Sequence, residues 1–198
     1  MSEIEVLIVY YSVRGSTAIL AREVAHGVES TPGVQARIRT VPRISAHSEQ
    51  IDDAIPASGP PYATYQDLRE CAALALGSPT RFGNMAAPVK YFIDGTAQLW
   101  LDGAMVGKPA GVFTAASSPH GGHESTLLSM QIPLLHHGML ICGVPYTQPA
   151  LNTTPGGGSP YGPSHWSGAG HERSLDRDEA AICRSLGQRL AHLAVRLA

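Results

Sequence analysis

The stretch Ile4-Glu5-Val6-Leu7-Ile8-Val9-Tyr10-Tyr11 runs directly into the turn Ser12-Val13-Arg14-Gly15-Ser16-Thr17. The first eight residues are almost all apolar or aromatic, which is typical of a β-strand covered by helices on both faces. Beyond the turn, Leu20, Val24 and Val28 recur every fourth residue and form one apolar stripe of a helix. A buried strand, a short turn and an amphipathic helix open a βαβ unit, so this segment predicts a parallel α/β sheet.

The same alternation of strands and helices continues along the chain. Further strands are predicted over 34–38, 72–76, 109–116 and 139–142, and helices over 86–95 and 124–138. Residues 42–66 contain four prolines and are predicted to form a surface excursion, and the Gly-, Pro- and Ser-rich residues 144–173 a long loop. We therefore expect residues 1–198 to form a single domain, built on a five-stranded, parallel, doubly wound sheet with helices on both faces.

The last helix has the clearest sequence signal. Asp176 and Glu179 have the spacing of a capping box at its start. One apolar face is predicted for the helix that follows, formed by Ile182, Leu186, Leu190, Leu193 and Leu197.

Composition excludes several classes of partner. The net charge is -2 and no segment concentrates Lys and Arg, so no nucleic-acid partner is expected. The three cysteines are far apart, which indicates free thiols in a reducing compartment. His120 and His123 have no accompanying carboxylates or thiols, so no metal site is predicted. No apolar run approaches the ~20 residues that cross a bilayer, and we expect a cytoplasmic protein without membrane insertion.

The turn 12–17 has the composition of a phosphate site. It lacks the glycine spacing of a dinucleotide fingerprint, and residues 103–109 lack that of a Walker loop. Three hydroxyls instead surround Gly15 at the start of a helix, where backbone N–H groups hold phosphate monoesters. The alternative is that Ser16 or Thr17 only caps the helix. The small, polar openings of the third and fourth strands lie at the same sheet edge and suit a flat ring system.

Together these motifs resemble the WrbA family of flavodoxin-like NAD(P)H:quinone oxidoreductases, over residues 4–198. The resemblance rests on Tyr10-Tyr11-Ser12 with Gly15, Pro79-Thr80-Arg81-Phe82-Gly83-Asn84-Met85, Leu99-Trp100, His136-His137-Gly138-Met139 and Gly156-Gly157-Gly158-Ser159-Pro160-Tyr161-Gly162. It implies a flavodoxin-like fold, FMN as the cofactor, NADPH or NADH as the electron donor and a quinone as the acceptor.

The resemblance also implies roles for individual residues. The FMN phosphate would be held by Ser12, Val13, Arg14, Gly15, Ser16 and Thr17. The ribityl chain and the flavin ring would be bordered by Pro79, Thr80, Arg81, Phe82 and Gly83, and by Ala115, Ala116, Ser117, Ser118, Gly121 and Gly122. His136 would lie by the ring and polarise a quinone oxygen, and Trp100 would cover the pocket. Arg14 stands where relatives often have an aromatic residue, and its charge suggests a contact with the 2′-phosphate of NADPH.

The activity implied by the resemblance is two-electron transfer by a ping-pong mechanism. NAD(P)H would reduce the flavin and leave, and a quinone such as benzoquinone would then take its place. Two other classes stay open: a flavodoxin-type carrier of single electrons, which a net charge of -2 disfavours, and an FMN-binding regulatory or scaffold protein. The resemblance further implies a homo-oligomer, a dimer or tetramer, in which neighbouring subunits complete the site.

Overall fold

The computed structural model describes residues 4–44, 56 and 58–198. In chain order its strands are β1 (Ile4–Tyr10), β2 (Val34–Thr40), β3 (Ala73–Arg81), β4 (Asn84–Met85), β5 (Pro109–Ala116), β6 (Leu140–Ile141) and β7 (Ser164–Trp166). Its helices are α1 (Ser16–Glu29), α2 (Tyr65–Glu70), α3 (Ala87–Asp94), α4 (Ala97–Leu101), α5 (His123–His136), α6 (Ala150–Thr153) and α7 (Arg177–Leu197).

The sheet has the predicted doubly wound topology. Its main strands are parallel in the order β2-β1-β3-β5-β6, and β4 pairs antiparallel with the end of β3. The fifth strand position is divided between two segments, since β6 pairs with the start of β5 and β7 with its end. The prediction that residues 144–173 form one long loop is therefore wrong in part, because these residues contribute α6 and β7. A three-residue strand is too short to show the alternation by which strands are recognised in sequence.

Helices cover both faces of the sheet. Along β1, Val6 and Ile8 face a core formed with α1 and α7, whereas Leu7 and Val9 face a second core formed with the helices of the other side. All four side chains are fully buried. The continuous apolar run of β1 follows from this two-sided burial, as the sequence predicted.

Helix α7 begins with the predicted capping box. The Asp176 carboxylate accepts a hydrogen bond from the Glu179 backbone N–H at 2.8 Å, and the Glu179 carboxylate accepts one from the Asp176 N–H at 3.0 Å. The predicted apolar face is buried from Ile182 to Leu190 and only partly buried at Leu193. Leu197 is exposed, so the prediction is wrong at this last position, where α7 ends.

Two short helices, α2 and α4, were not predicted because six and five residues are too few to establish a period. Residues 45–55 and 57 of the predicted excursion 42–66 lie outside the described residues. Of its described part, Tyr62 forms an isolated parallel bridge with Thr40 and Tyr65 begins α2.

Candidate functional site

The turn after β1 leaves the start of α1 open. Gly15 is the N-cap residue of α1, with a φ of 93°, a left-handed conformation that glycine adopts without steric cost. Its N–H donates to the Ser12 Oγ at 3.1 Å, and no side chain within the described residues caps the helix. The alternative that Ser16 or Thr17 caps the helix is therefore wrong, because both lie inside the first turn. The first N–H groups of a helix have no intrahelical acceptor and bind anions.

This turn opens into a cavity of about 320 Å³, here called the edge cavity. Ligand pockets typically measure ~300–1,000 Å³. The edge cavity is lined by Ser12, Val13, Arg14, Ser16, Thr17, Pro79, Thr80, Arg81, Ala115, Ala116, Ser117, Ser167 and His171. Three strand ends thus meet at one place. Tyr10, Gly77 and Phe113 are level across the sheet; β1 ends at Tyr10, and β3 and β5 end a few residues further on.

The other predicted residues of these turns lie outside the lining. Gly121 and Gly122 direct their carbonyls toward the Thr80 hydroxyl, at 3.4 and 3.5 Å, and the Thr80 Oγ1 is 2.6 Å from the Thr126 Oγ1. A Cβ atom on Gly122 would lie 2.9 Å from the Gly83 Cα, so the two turns touch through their backbones. Phe82 is fully exposed, and Ser118 is also exposed. The glycines and the two threonines therefore hold the turns after β3 and β5 together.

A wall that the sequence analysis missed comes from β7 and the residues after it. Ser167 donates from its backbone N–H and its hydroxyl to the Ala116 carbonyl, at 2.9 and 3.2 Å. The Trp166 indole N–H donates to the Ser117 carbonyl at 3.1 Å, and the Arg173 guanidinium lies 4.1 Å from the centre of the Trp166 ring. These hydrogen bonds fix the turn after β5 against β7 and the residue that follows it. The only sequence signal for this segment was the motif 156–162, which precedes it.

Behind this wall lies a buried pair of titratable groups. The Nδ1 of His165 is 2.9 Å from the Glu179 carboxylate and its Nε2 is 3.2 Å from the Arg173 carbonyl, so both ring nitrogens face acceptors. Burial raises the pKa of Glu179, but hydrogen bonds from His165 and from the backbone of Asp176 and Gly157 outweigh it, and the pKa is lowered overall. The pair joins β7 to the start of α7.

His136 and Trp100 lie elsewhere in the chain. Their rings are 5.5 Å apart, at the end of α5 and in α4. Just after α5, the Gly138 carbonyl accepts from the Gly107 N–H at 2.9 Å and Leu140 pairs with Pro109, the first residue of β5. Ala115, which lines the edge cavity, is six residues further along β5, a distance of about 20 Å. One chain therefore does not bring His136 and Trp100 to the edge cavity.

The described residues contain neither a membrane-crossing helix nor a cluster of metal ligands. Across 4–44, 56 and 58–198 there is no helix with the length and apolar character to cross a membrane. Within the same residues no three or more His, Cys, Asp or Glu side chains are grouped as metal ligands.

One family model and two relatives that share a name match most of this chain. A family model described as NADPH-dependent FMN reductase matches residues 4–148. A protein of Solidesulfovibrio magneticus named NAD(P)H dehydrogenase (quinone) is 40% identical, covering 97% of this chain and 98% of that protein. One of the same name from Trichlorobacter lovleyi is 41% identical, covering 100% and 99%.

Solved structures agree in fold. A flavodoxin, WrbA-like protein from Agrobacterium tumefaciens superposes with a TM-score of 0.69 at 21% identity, covering 98% of each chain. A flavodoxin from the domain Archaea gives a TM-score of 0.64 at 17% identity, over 97% of this chain and 99% of that one. The flavodoxin-like fold and the resemblance predicted from the sequence are confirmed, and the chain belongs to the NADPH-dependent FMN reductase family.

Proposed function

We propose that this chain is an FMN-dependent NAD(P)H:quinone oxidoreductase whose FMN binds in the edge cavity. The observation that carries the proposal is the uncapped start of α1 at Gly15, which opens into a cavity bounded by the ends of β3 and β5. The family, and the names of relatives at 40% and 41% identity, support the same activity. FMN, when bound, supplies the chemistry by accepting an electron pair from NAD(P)H and passing it to a quinone.

The residues of the edge cavity fit the parts of FMN. The phosphate would lie against the backbone N–H groups of 14–17 and the hydroxyls of Ser16 and Thr17, with the positive end of α1 behind it. The ring would lie between the turns 79–83 and 115–118. Because β7 and the residue after it already hold the carbonyls of Ala116 and Ser117, the second turn is ordered before FMN arrives. Preorganisation of this kind lowers the entropic cost of binding.

The separation of His136 and Trp100 from the edge cavity supports an oligomer. On α5, Leu128, Ile132 and Leu135 are 44%, 66% and 58% exposed and follow one stripe of the helix. Exposed apolar surface of this kind typically marks a protein interface. We propose a homo-oligomer in which Trp100 and His136 of a second copy close the cavity of the first. There the His136 ring N–H would donate a hydrogen bond to a quinone oxygen as negative charge develops.

The spectrum of the FMN-loaded protein tests the redox assignment. Under anaerobic conditions, addition of NADPH should bleach the visible flavin bands, and benzoquinone should restore them. Free FMN under the same conditions is the control. If protein that holds FMN is bleached by neither NADPH nor NADH, the oxidoreductase proposal fails and an electron carrier or a regulatory protein fits better.

The order of substrates is tested by initial rates. One cavity that serves both substrates in turn predicts a ping-pong mechanism, in which NADP⁺ leaves before the quinone binds. Double-reciprocal plots at several benzoquinone concentrations should therefore be parallel. Intersecting lines would mean that both substrates are bound together and would contradict the shared cavity.

The choice of donor is proposed from Arg14, which lines the edge cavity. Its guanidinium would pair with the 2′-phosphate of NADPH. We expect a higher kcat/KM for NADPH than for NADH, and Arg14→Gln should remove most of that difference. Arg22→Gln, at an exposed position of α1, is the matched control. A clear preference of the unmodified protein for NADH would overturn the assignment.

A cytoplasmic location is part of the proposal. Cys71, Cys142 and Cys183 are buried and unpaired, as in proteins of reducing compartments. Burial raises the pKa of Cys71 to about 11, which keeps that thiol unreactive. Cell fractionation should recover the protein with cytoplasmic markers.

A further inference from the structure

We propose that His171 is an additional binding residue for the FMN phosphate. The inference rests on the proposed binding of FMN in the edge cavity. It concerns a wall of the cavity that no motif in the sequence indicated, formed by Ser167 and His171.

The fold brings His171 close to the start of α1. Strand β7 pairs with residues 114–116 of β5, at the carboxyl edge of the sheet. Helix α1 contacts β7. Because α1 begins at this edge and runs away from it, the part of α1 that reaches β7 is its first turn. The residues that follow β7 therefore lie beside the same N–H groups that would receive the phosphate.

The His171 side chain is fixed at one nitrogen and open at the other. Its Nδ1 lies 3.1 Å from the Ser167 Oγ, which in turn donates to the Ala116 carbonyl. Nε2 is therefore the ring nitrogen left for a ligand. The backbone of His171 has a φ of 61°, in the left-handed region that non-glycine residues seldom adopt. Uncommon conformations of this kind are concentrated at functional sites.

The charges favour a phosphate contact. A phosphate monoester carries about −1.5 to −2 charges at neutral pH, and no lysine is among the described residues that line the edge cavity. An imidazolium Nε2–H would make a charge-assisted hydrogen bond to it. The other charged or titratable groups near this wall are Arg14 and Arg81 in the lining, His120 in the turn after β5, Glu172 and Arg173 on the same loop, and His165 with Asp176 and Glu179 behind it.

Two flavins separate a phosphate contact from a ring contact. FMN carries the phosphate and riboflavin does not. A hydrogen bond from His171 to the phosphate should therefore strengthen FMN binding and leave riboflavin binding unchanged.

The test is a titration of the FMN-free protein with FMN and with riboflavin at pH 6.5, followed by flavin fluorescence. His171→Asn removes the imidazole but tolerates the left-handed backbone. It should bind FMN about tenfold more weakly than the unmodified protein does, the size of one charge-assisted hydrogen bond, and should bind riboflavin equally well. His192→Asn, on the exposed side of α7, is the control.

A second variant separates this proposal from the FMN site itself. Ser16→Ala with Thr17→Val should weaken FMN and spare riboflavin if the start of α1 holds the phosphate. If that variant weakens FMN binding but His171→Asn keeps the FMN affinity of the unmodified protein, the role of His171 is overturned and the site stands. If neither variant changes FMN affinity, the proposed FMN site fails as well.

Discussion

At the scale of single residues, uncommon backbone conformations surround the edge cavity. Gly15, Phe82 and His171 have φ values of 93°, 54° and 61°. Gly15 adopts its value freely, but Phe82 and His171 do so at an energetic cost of ~1–2 kcal/mol each. Phe82 gains nothing in return from burial, since its side chain is fully exposed. A backbone cost with no burial of the ring against the described part of the chain suggests that the ring is held out for a ligand or a second copy.

Phe82→Asn tests this interpretation. Asparagine is tolerated in the left-handed region and no packing is lost, so the free energy of unfolding should be unchanged or higher by up to about 1 kcal/mol. FMN affinity or quinone turnover should fall, because the aromatic contact is removed. Urea unfolding of the FMN-free protein and FMN titration measure the two effects. A loss of more than about 1 kcal/mol in stability, with FMN affinity unchanged, would show that Phe82 serves the fold instead.

Glu179 supports the cavity wall formed by β7 and the residues after it, because its pair with His165 joins β7 to the start of α7. It is fully buried and its carboxylate accepts from His165 and from the N–H groups of Gly157 and Asp176. Glu179→Gln should lower the free energy of unfolding by about 3 kcal/mol, because it breaks a buried pair. Glu172→Gln, on the exposed loop nearby, is the control and should have little effect. A loss below about 1 kcal/mol would contradict the structural role of the pair.

The lowered pKa of Glu179 also gives a pH dependence. A carboxyl whose pKa is lower in the folded than in the unfolded state stabilises the protein above the unfolded value, ~4.3 for Glu. That contribution is lost as the pH falls through the folded value. The unmodified protein should therefore lose more stability between pH 6 and pH 3 than Glu179→Gln does. Equal losses in urea unfolding would mean that Glu179 is not the titrating group.

The sequence predicted the parts of the site that are local. Residues 12–17 follow one recognisable strand, and 79–81 and 115–117 lie at the ends of two others, so their meeting at one sheet edge followed from the topology. Ser167 and His171 were missed because their place depends on the pairing of β7 with β5, roughly fifty residues away in sequence. Pairing at that range leaves no periodic signal in the chain. The role of Gly15 was also missed. The sequence offered Ser16 or Thr17 as the cap of α1, but Gly15 is the N-cap residue in a left-handed conformation, and both hydroxyl residues lie inside the helix.

At the scale of elements, α1 and α7 meet through two glycines. A Cβ atom on Gly27 would lie 2.0 Å from the Arg184 carbonyl oxygen, and one on Gly187 would lie 2.0 Å from the Val24 carbonyl oxygen. The two backbones therefore touch where these residues cross. This close packing sets the position of α1 against the sheet, and with it the helix start at the edge cavity. The sequence analysis identified both helices but not the glycines that allow their approach.

Gly187→Ala should therefore act against the usual trend. In a free helix this change stabilises by ~1 kcal/mol, since alanine favours the helix. Here the added methyl group collides with backbone that cannot move aside, so a net loss of about 1–3 kcal/mol is expected. Gln188→Gly, at an exposed position of the same helix, is the control and should show only the propensity effect. A stabilising Gly187→Ala in urea unfolding would contradict the close contact.

At the scale of the whole molecule, the two halves of the proposed site lie at opposite edges of one sheet. The edge cavity is at the carboxyl ends of the strands, and the Trp100–His136 pair is near the start of β5. Neither half is a complete quinone site alone. Assembly of copies through the exposed apolar stripe of α5 would bring one half of each chain to the other half of its neighbour.

Ile132→Glu tests the assembly. A carboxylate in the middle of the apolar stripe should separate the copies, because its burial in an interface is unfavourable. Analytical ultracentrifugation should show a smaller species, with quinone turnover reduced at least about tenfold and the free energy of unfolding of the monomer little changed. Val195→Glu, at a comparably exposed position on α7, should leave the assembly intact. A monomeric unmodified protein with full turnover would contradict the proposal.

The most direct test of the FMN site is a crystal structure of the FMN-loaded protein. The phosphate should lie within hydrogen-bonding distance of the backbone N–H groups of 14–17, with the ring between the turns 79–83 and 115–118. Trp100 and His136 of another copy should face the ring. A phosphate bound anywhere else, or a ring with no second copy near it, would contradict the arrangement.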